Sequence, residues 1–253
     1  MTLAPPPVEG VLFDIDDTLV DTQAAFAAAI DAVARVHLPD LPPDRYGEAL
    51  ALWRADPNGH YRAYTRGELG YDTQRMRRAN ELQDAFGGAT LDDDGYAAWL
   101  SVFWGAFEAS WTAHDDAAQV LADLAVAGVR VGSLSNAATE LQTRKLKSAG
   151  LGHVPLLVGV DTLGVGKPDP RVFLEACRRL GTPPERTAYV GDELDVDALG
   201  ARGAGLVGVW LDRPGARRGG PHPEDPLAAR ASGVPVIGSL AELPGVLGLS
   251  ATA

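Results

Sequence analysis

The chain has 253 residues, 46% hydrophobic and 22% charged, enough for one large domain or two modest ones with a real core. A formal charge of −12, with no basic stripe interleaved with aromatics, excludes nucleic acid as an expected partner. No run approaches the roughly 18 apolar residues of a membrane span, and the N-terminal "MTLAPPPVEG" lacks an export pattern, so no membrane association and a cytoplasmic location are expected.

In chain order, the first element is "VEGVLFD", a short β-favouring run that reads as a buried strand and ends in Asp14, Asp16, Asp17 and Asp21. Asp17 and Asp21, with Asp195 further on, read as surface or capping acids. Residues 22–112 contain almost no β-type run and read as a helical unit. In its last stretch Tyr96, Trp99, Leu100, Phe103, Phe107 and Trp111 recur every three or four residues, a packing stripe. Then "DDAAQVLADLAVAG" predicts a helix with Val120, Leu121, Leu124 and Ala125 on one face, stopped at Gly128. Strands follow at "GVRVGSLSN", "PLLVGVD", "TAYVGDE" and "GLVGVWLD", with a weaker one at "VPVIGS". Between the second and third of these, "DPRVFLEACRRLG" predicts a helix with Asp169 as N-cap, Pro170 at its first position and Gly181 as its stop; the lone Cys177 reads as buried within it. The segment from Arg213 to Pro235 reads as a solvated surface loop. The five histidines lack the spacing of zinc sites.

Strands alternating with helices predict an α/β fold, a doubly wound parallel sheet with helices on both faces. The expected organisation is a core of residues 1–21 and 113–253, with the helical unit 22–112 inserted as a separate domain. Nothing in the sequence fixes an oligomeric state.

Ligands of open α/β sheets bind beyond the carboxyl ends of the strands. There the sequence puts Asp14 and Asp16 after the first strand, Ser135 and Asn136 after the second, Lys167 in a loop beyond the third, and Asp192 and Asp197 after the fourth. Crowded carboxylates repel unless a cation shares them. A hard divalent ion with oxygen ligands, Mg²⁺, is the expected solution, and Mg²⁺ suggests a phosphorylated substrate.

The chain resembles the haloacid dehalogenase-like (HAD) hydrolases, whose four motifs it carries in order: "FDIDDTL", "SLSNA", "GVGKPDPRVF" and "GDELDVD". The resemblance implies a Mg²⁺-dependent phosphatase of a small phosphorylated metabolite, with a helical cap inserted between the first two motifs. It implies that Asp14 is the nucleophile and that Asp16 protonates the leaving group and then activates water. Mg²⁺ would be held by Asp14, the Asp16 carbonyl and Asp192. Ser135, Asn136 and Lys167 would bind the phosphoryl group, with Thr18 and Asp197 standing behind the direct ligands. Val196 departs from the family, where Asn is frequent.

Within the resemblance, Asp16 argues against the dehalogenases, which lack a second aspartate. The only lysines, Lys145, Lys147 and Lys167, lie outside the helical insert, which argues against phosphonate hydrolases that use a cap lysine. A sugar phosphomutase with the same aspartyl-phosphate chemistry is the nearest alternative, and a non-catalytic binding protein on the same fold a remoter one. In the insert, Arg54, Tyr61, Arg62, Tyr64 and Arg66 are the candidate substrate contacts.

Overall fold

The computed structural model describes residues 8–218 and 224–249. These fall into two compact units, one of residues 8–21, 112–217 and 224–249, the other of 22–111 together with residue 218.

The first unit is built on a six-stranded sheet, β1 (Gly10–Phe13), β2 (Arg130–Leu134), β3 (Leu156–Val158), β4 (Thr187–Gly191), β5 (Val207–Leu211) and β6 (Val236–Ile237), in the order β3-β2-β1-β4-β5-β6. All neighbours are parallel. Every residue of β1 is buried, as befits a central strand covered on both faces. Its side chains alternate. Val11 and Phe13 join one core with Val120, Leu121 and Leu124 of the helix Ala117–Val126, while Leu12 joins a second core with Phe173, Ala176 and Cys177 of the helix Pro170–Leu180.

That second helix begins as its sequence predicts: Asp169 Oδ1 accepts from the Arg171 N–H at 2.9 Å, Pro170 occupies the first turn, and Gly181 closes it at a φ of 76°. The segment after β5 differs from expectation. It holds a short helix, Pro226–Ala231, capped by the Asp225 carboxylate, and Arg213 is no solvated loop residue. Both Arg213 Nη atoms donate to Asp116, at 2.9 and 2.8 Å, and Nη2 also reaches the Thr18 carbonyl at 3.1 Å. Residues 219–223 of that segment lie outside the described residues.

The second unit is helical: α1 (Thr22–His37), α2 (Tyr46–Ala55), α3 (His60–Thr65), α4 (Tyr71–Ala85) and α5 (Asp93–Ala109). The small buried residues of α1, Ala25, Ala29 and Ala34, let it pack closely on the aromatic stripe of α5, where Trp99, Phe103 and Phe107 are buried. Phe26 meets Phe107 at a ring separation of 4.7 Å and Trp99 stacks on Phe103 at 5.2 Å. Trp111, the last residue of the predicted stripe, is buried beyond the end of α5.

Candidate active site

Register brings the predicted residues to one sheet edge. Phe13 pairs with Ser133 on one side and Val190 on the other, so the chain leaves β1, β2 and β4 at the same level. The Asp14 N–H still donates to the Val190 carbonyl at 2.9 Å, which fixes the aspartate at the strand end beside β4. Sheet order reverses here, β2 and β3 lying on one side of β1 and β4 on the other, the position where open α/β sheets bind ligands.

Lys167 gathers three groups around itself. Its ammonium donates to Asp14 Oδ1 at 2.8 Å, Asp197 Oδ1 at 2.7 Å and the Tyr189 hydroxyl at 2.8 Å, and all are buried. An ammonium has three protons, so all are committed within the protein, and a phosphoryl oxygen would have to displace one partner. The Tyr189 hydroxyl itself donates to the Leu134 carbonyl at 3.0 Å. Burial would depress the Lys167 ammonium, but Asp14 and Asp197 outweigh it and hold it well above the usual lysine range. Burial above all, against the pull of Lys167 and with a further push from Asp197 and Asp16, raises the Asp14 carboxyl to about 7.

Asp197 is spent on orientation. Its Oδ1 takes the Lys167 bond and its Oδ2 accepts the Glu193 N–H at 2.9 Å. Gly191 permits this, because a Cβ there would collide with the Asp197 carboxylate. The turn that carries Asp197, Leu194–Leu199, is wound as a π-helix, and Val196 is buried in it. Trp210 Nε1 donates to the Asp192 carbonyl at 2.8 Å and anchors that residue's main chain.

One carboxylate oxygen from each of Asp14, Asp192 and Asp197 lies within 4.8 Å of the others. Asp14 Oδ2 makes no hydrogen bond among the described residues, whereas both Asp197 oxygens are engaged. Of these three, Asp197 is therefore the carboxylate least able to take a cation. Counting Asp16 and Lys145, four carboxylates face two ammonium groups, a formal −2. An all-oxygen, doubly negative set fits a hard dication such as Mg²⁺.

Ser135 is buried, and its Oγ accepts from the Ala137 N–H at 3.2 Å and from Gln142 Nε2 at 2.7 Å. With both lone pairs occupied, the hydroxyl can only donate outward. The Asn136 side-chain oxygen accepts the Lys167 N–H at 2.6 Å and its Nδ2 donates to the Lys167 carbonyl at 3.0 Å, so its amide holds the lysine loop. A Cβ on Gly166 would collide with that amide. Thr18 is buried with its hydroxyl unpartnered among the described residues, and only its carbonyl is engaged, by Arg213. Asp17, expected as a surface or capping acid, is buried in the β1 turn with a left-handed φ of 57°, which aspartate tolerates better than most residues.

Three residues escaped the sequence reading. In the sequence, Tyr189 is indistinguishable from any other residue of its strand. Gln142 and Lys145 lie on the helix Thr139–Ser148 and both reach Asp16: Gln142 Nε2 donates to Oδ2 at 2.5 Å and the Lys145 ammonium donates to Oδ1.

In the helical unit, Arg66 forms an exposed pair with Glu68 at 2.6 Å. Arg75 is buried and lies over the rings of Tyr71, Phe103 and Trp104, and the partly buried Arg78 lies 4.1 Å over Trp53 and pairs with Asp56 at 3.6 Å.

Residues 8–205 match the haloacid dehalogenase-like hydrolases. The chain belongs to this family. A glyceraldehyde 3-phosphate phosphatase of Methanopyrus kandleri is 31% identical over 208 residues, covering 81% of this chain and 84% of that enzyme. A phosphoserine phosphatase of Thermus thermophilus is 41% identical over 117 residues, a match spanning 46% of this chain and 45% of the enzyme. Among solved structures, the HAD hydrolase YfnB of Bacillus subtilis superposes with a TM-score of 0.74 at 23% identity, over 96% of this chain and all of that one. A HAD-family hydrolase of Deinococcus radiodurans does so at 0.68 and 25% identity, over 98% and 99% of the two chains. Among the described residues no helix is long and apolar enough to cross a membrane.

Proposed function

We propose that this HAD-like hydrolase is a Mg²⁺-dependent phosphatase of a small phosphorylated metabolite, acting through an aspartyl-phosphate on Asp14, with the helical unit as its cap. The observation that carries the reading is the Asp14 carboxylate, held by Lys167 through one oxygen with the other unengaged. Two of the relatives are phosphatases of glyceraldehyde 3-phosphate and of phosphoserine, others are phosphoglycolate phosphatases, and the Deinococcus structure contains phosphate and sodium.

In this reading the Asp14 carboxylate attacks phosphorus through one oxygen, and the ester oxygen leaves with the bonding electrons and takes a proton from Asp16. Asp16, now a carboxylate, removes a proton from the water that attacks the acyl-phosphate, which releases inorganic phosphate and restores Asp14. The outward-donating Ser135 hydroxyl binds a phosphoryl oxygen together with nearby main-chain N–H groups. Lys167 keeps Asp14 oriented and offsets its charge. Mg²⁺, held by Asp14, Asp192 and the Asp16 carbonyl, would neutralise charge on the nucleophile and on the phosphoryl group.

The test is phosphate release across a panel of sugar phosphates, nucleotides and phosphoglycolate. The reading predicts release with Mg²⁺ that is lost in chelator and in Asp14→Asn. No release from any member, or release undiminished in Asp14→Asn, would overturn it.

A further inference from the structure

The Asp16 carboxylate is held at both oxygens by one helix, Thr139–Ser148. Gln142 and Lys145 stand three residues apart there and so share a face. Gln142 is fully buried and Lys145 is 2% exposed. The Gln142 amide nitrogen divides its two protons between Asp16 Oδ2 and Ser135 Oγ, at 2.5 and 2.7 Å, and the Lys145 ammonium takes Oδ1.

A lysine on a helix normally extends its charged head to water. Lys147, two residues on, is exposed. Of the chain's three lysines, the two that are buried each pair with one of the two aspartates of the first motif, Lys167 with Asp14 and Lys145 with Asp16. Gln142 also leaves its own Oε1 buried and unpartnered among the described residues, so its orientation is set by what its nitrogen holds. Packing alone does not account for two buried polar side chains that converge on one carboxylate.

We propose that Gln142 and Lys145 are positioning residues for phosphoryl transfer. Together they fix Asp16 in one orientation, and Gln142 ties it to the Ser135 hydroxyl, so that the proton-transfer group and a phosphate donor move as one unit. The inference rests on the phosphatase reading. Neither residue touches the substrate; both act through Asp16 and Ser135.

The test uses a series of aryl phosphates graded by the acidity of the released phenol, with phenol release measured in the first turnover for the full-length wild type, Lys145→Met and Gln142→Leu. A misplaced Asp16 protonates the departing oxygen poorly, which matters most when the phenol is least acidic. We expect the loss in both variants to grow from about tenfold for the most acidic phenol to about 10³-fold for the least acidic. Circular dichroism and thermal melts check that each variant folds, and Gln142→Leu decides alone if Lys145→Met does not. A purely structural role lowers every member by the same factor, and that parallel line, or no loss, would overturn the proposal while wild-type turnover leaves the phosphatase reading intact. A folded wild type that releases no phenol from any member would overturn both.

Discussion

With its three protons committed to Asp14, Asp197 and Tyr189, Lys167 has partners of unequal weight. The two carboxylates are buried charges that become uncompensated if the ammonium goes. Lys167→Met should therefore destabilise the protein by about 3–5 kcal/mol and lower turnover by at least about 10²-fold. Tyr189→Phe removes one neutral partner and should cost only about 1 kcal/mol. Thermal denaturation and turnover on the same preparations separate the two. Asp14 supplies a signed pH effect. Its folded pKa of about 7 lies above the ordinary 3.8, so the native state holds the extra proton between those values and stability falls as pH rises through that window. In chelator, wild-type melting temperature should fall from pH 4 toward pH 7, on the scale of that shift, and the fall should be reduced in Asp14→Asn. An identical profile in the two proteins would contradict the assignment of that burial effect to Asp14.

Among the elements, the segment after β5 is tied down by one acidic side chain. Asp116 receives both Arg213 Nη atoms, the Ser239 hydroxyl at 2.7 Å and the Leu240 N–H at 2.9 Å. Burial would push its carboxyl up, yet Arg213, Ser239 and the Leu240 N–H together hold it down at about 2. A depressed folded pKa contributes stability above the unfolded value of 3.8 that is lost as pH falls toward 2. Asp116→Asn should cost about 1 kcal/mol at neutral pH, a modest figure because the pair is partly solvated. Urea denaturation should show that difference shrink across the acid window; a constant difference would mean that charge is not what holds the segment. The same region shows where element prediction failed. Asp225 before Pro226, followed by Leu-Ala-Ala, is a helix start, but the surrounding Pro, Gly and Arg residues masked a helix of one and a half turns.

At the scale of the molecule, the sheet was legible because each strand is a short β-rich run bounded by Gly, Pro or Asp, and a parallel sheet buries such runs on both faces. The convergence of Asp14, Ser135, Lys167, Asp192 and Asp197 followed from strand ends meeting at one edge. The pairings inside that cluster were not legible. Nothing in "TELQTRKLKS" distinguishes buried Gln142 and Lys145 from solvated neighbours, since their burial depends on which face the helix turns toward Asp16. The hold of the Asn136 amide on the lysine loop was hidden for a related reason: its neighbour in space, Lys167, is 31 residues away along the chain. The central claim is that Asp14 carries the phosphoryl group between the two halves of the reaction. Acid quenching during turnover of an aryl phosphate, followed by mass spectrometry of the digested protein, tests it directly. The account predicts one phosphoryl group on the peptide containing Asp14, absent in Asp14→Asn. A phosphoryl group on any other residue, or phosphate release by Asp14→Asn at the wild-type rate, would contradict it.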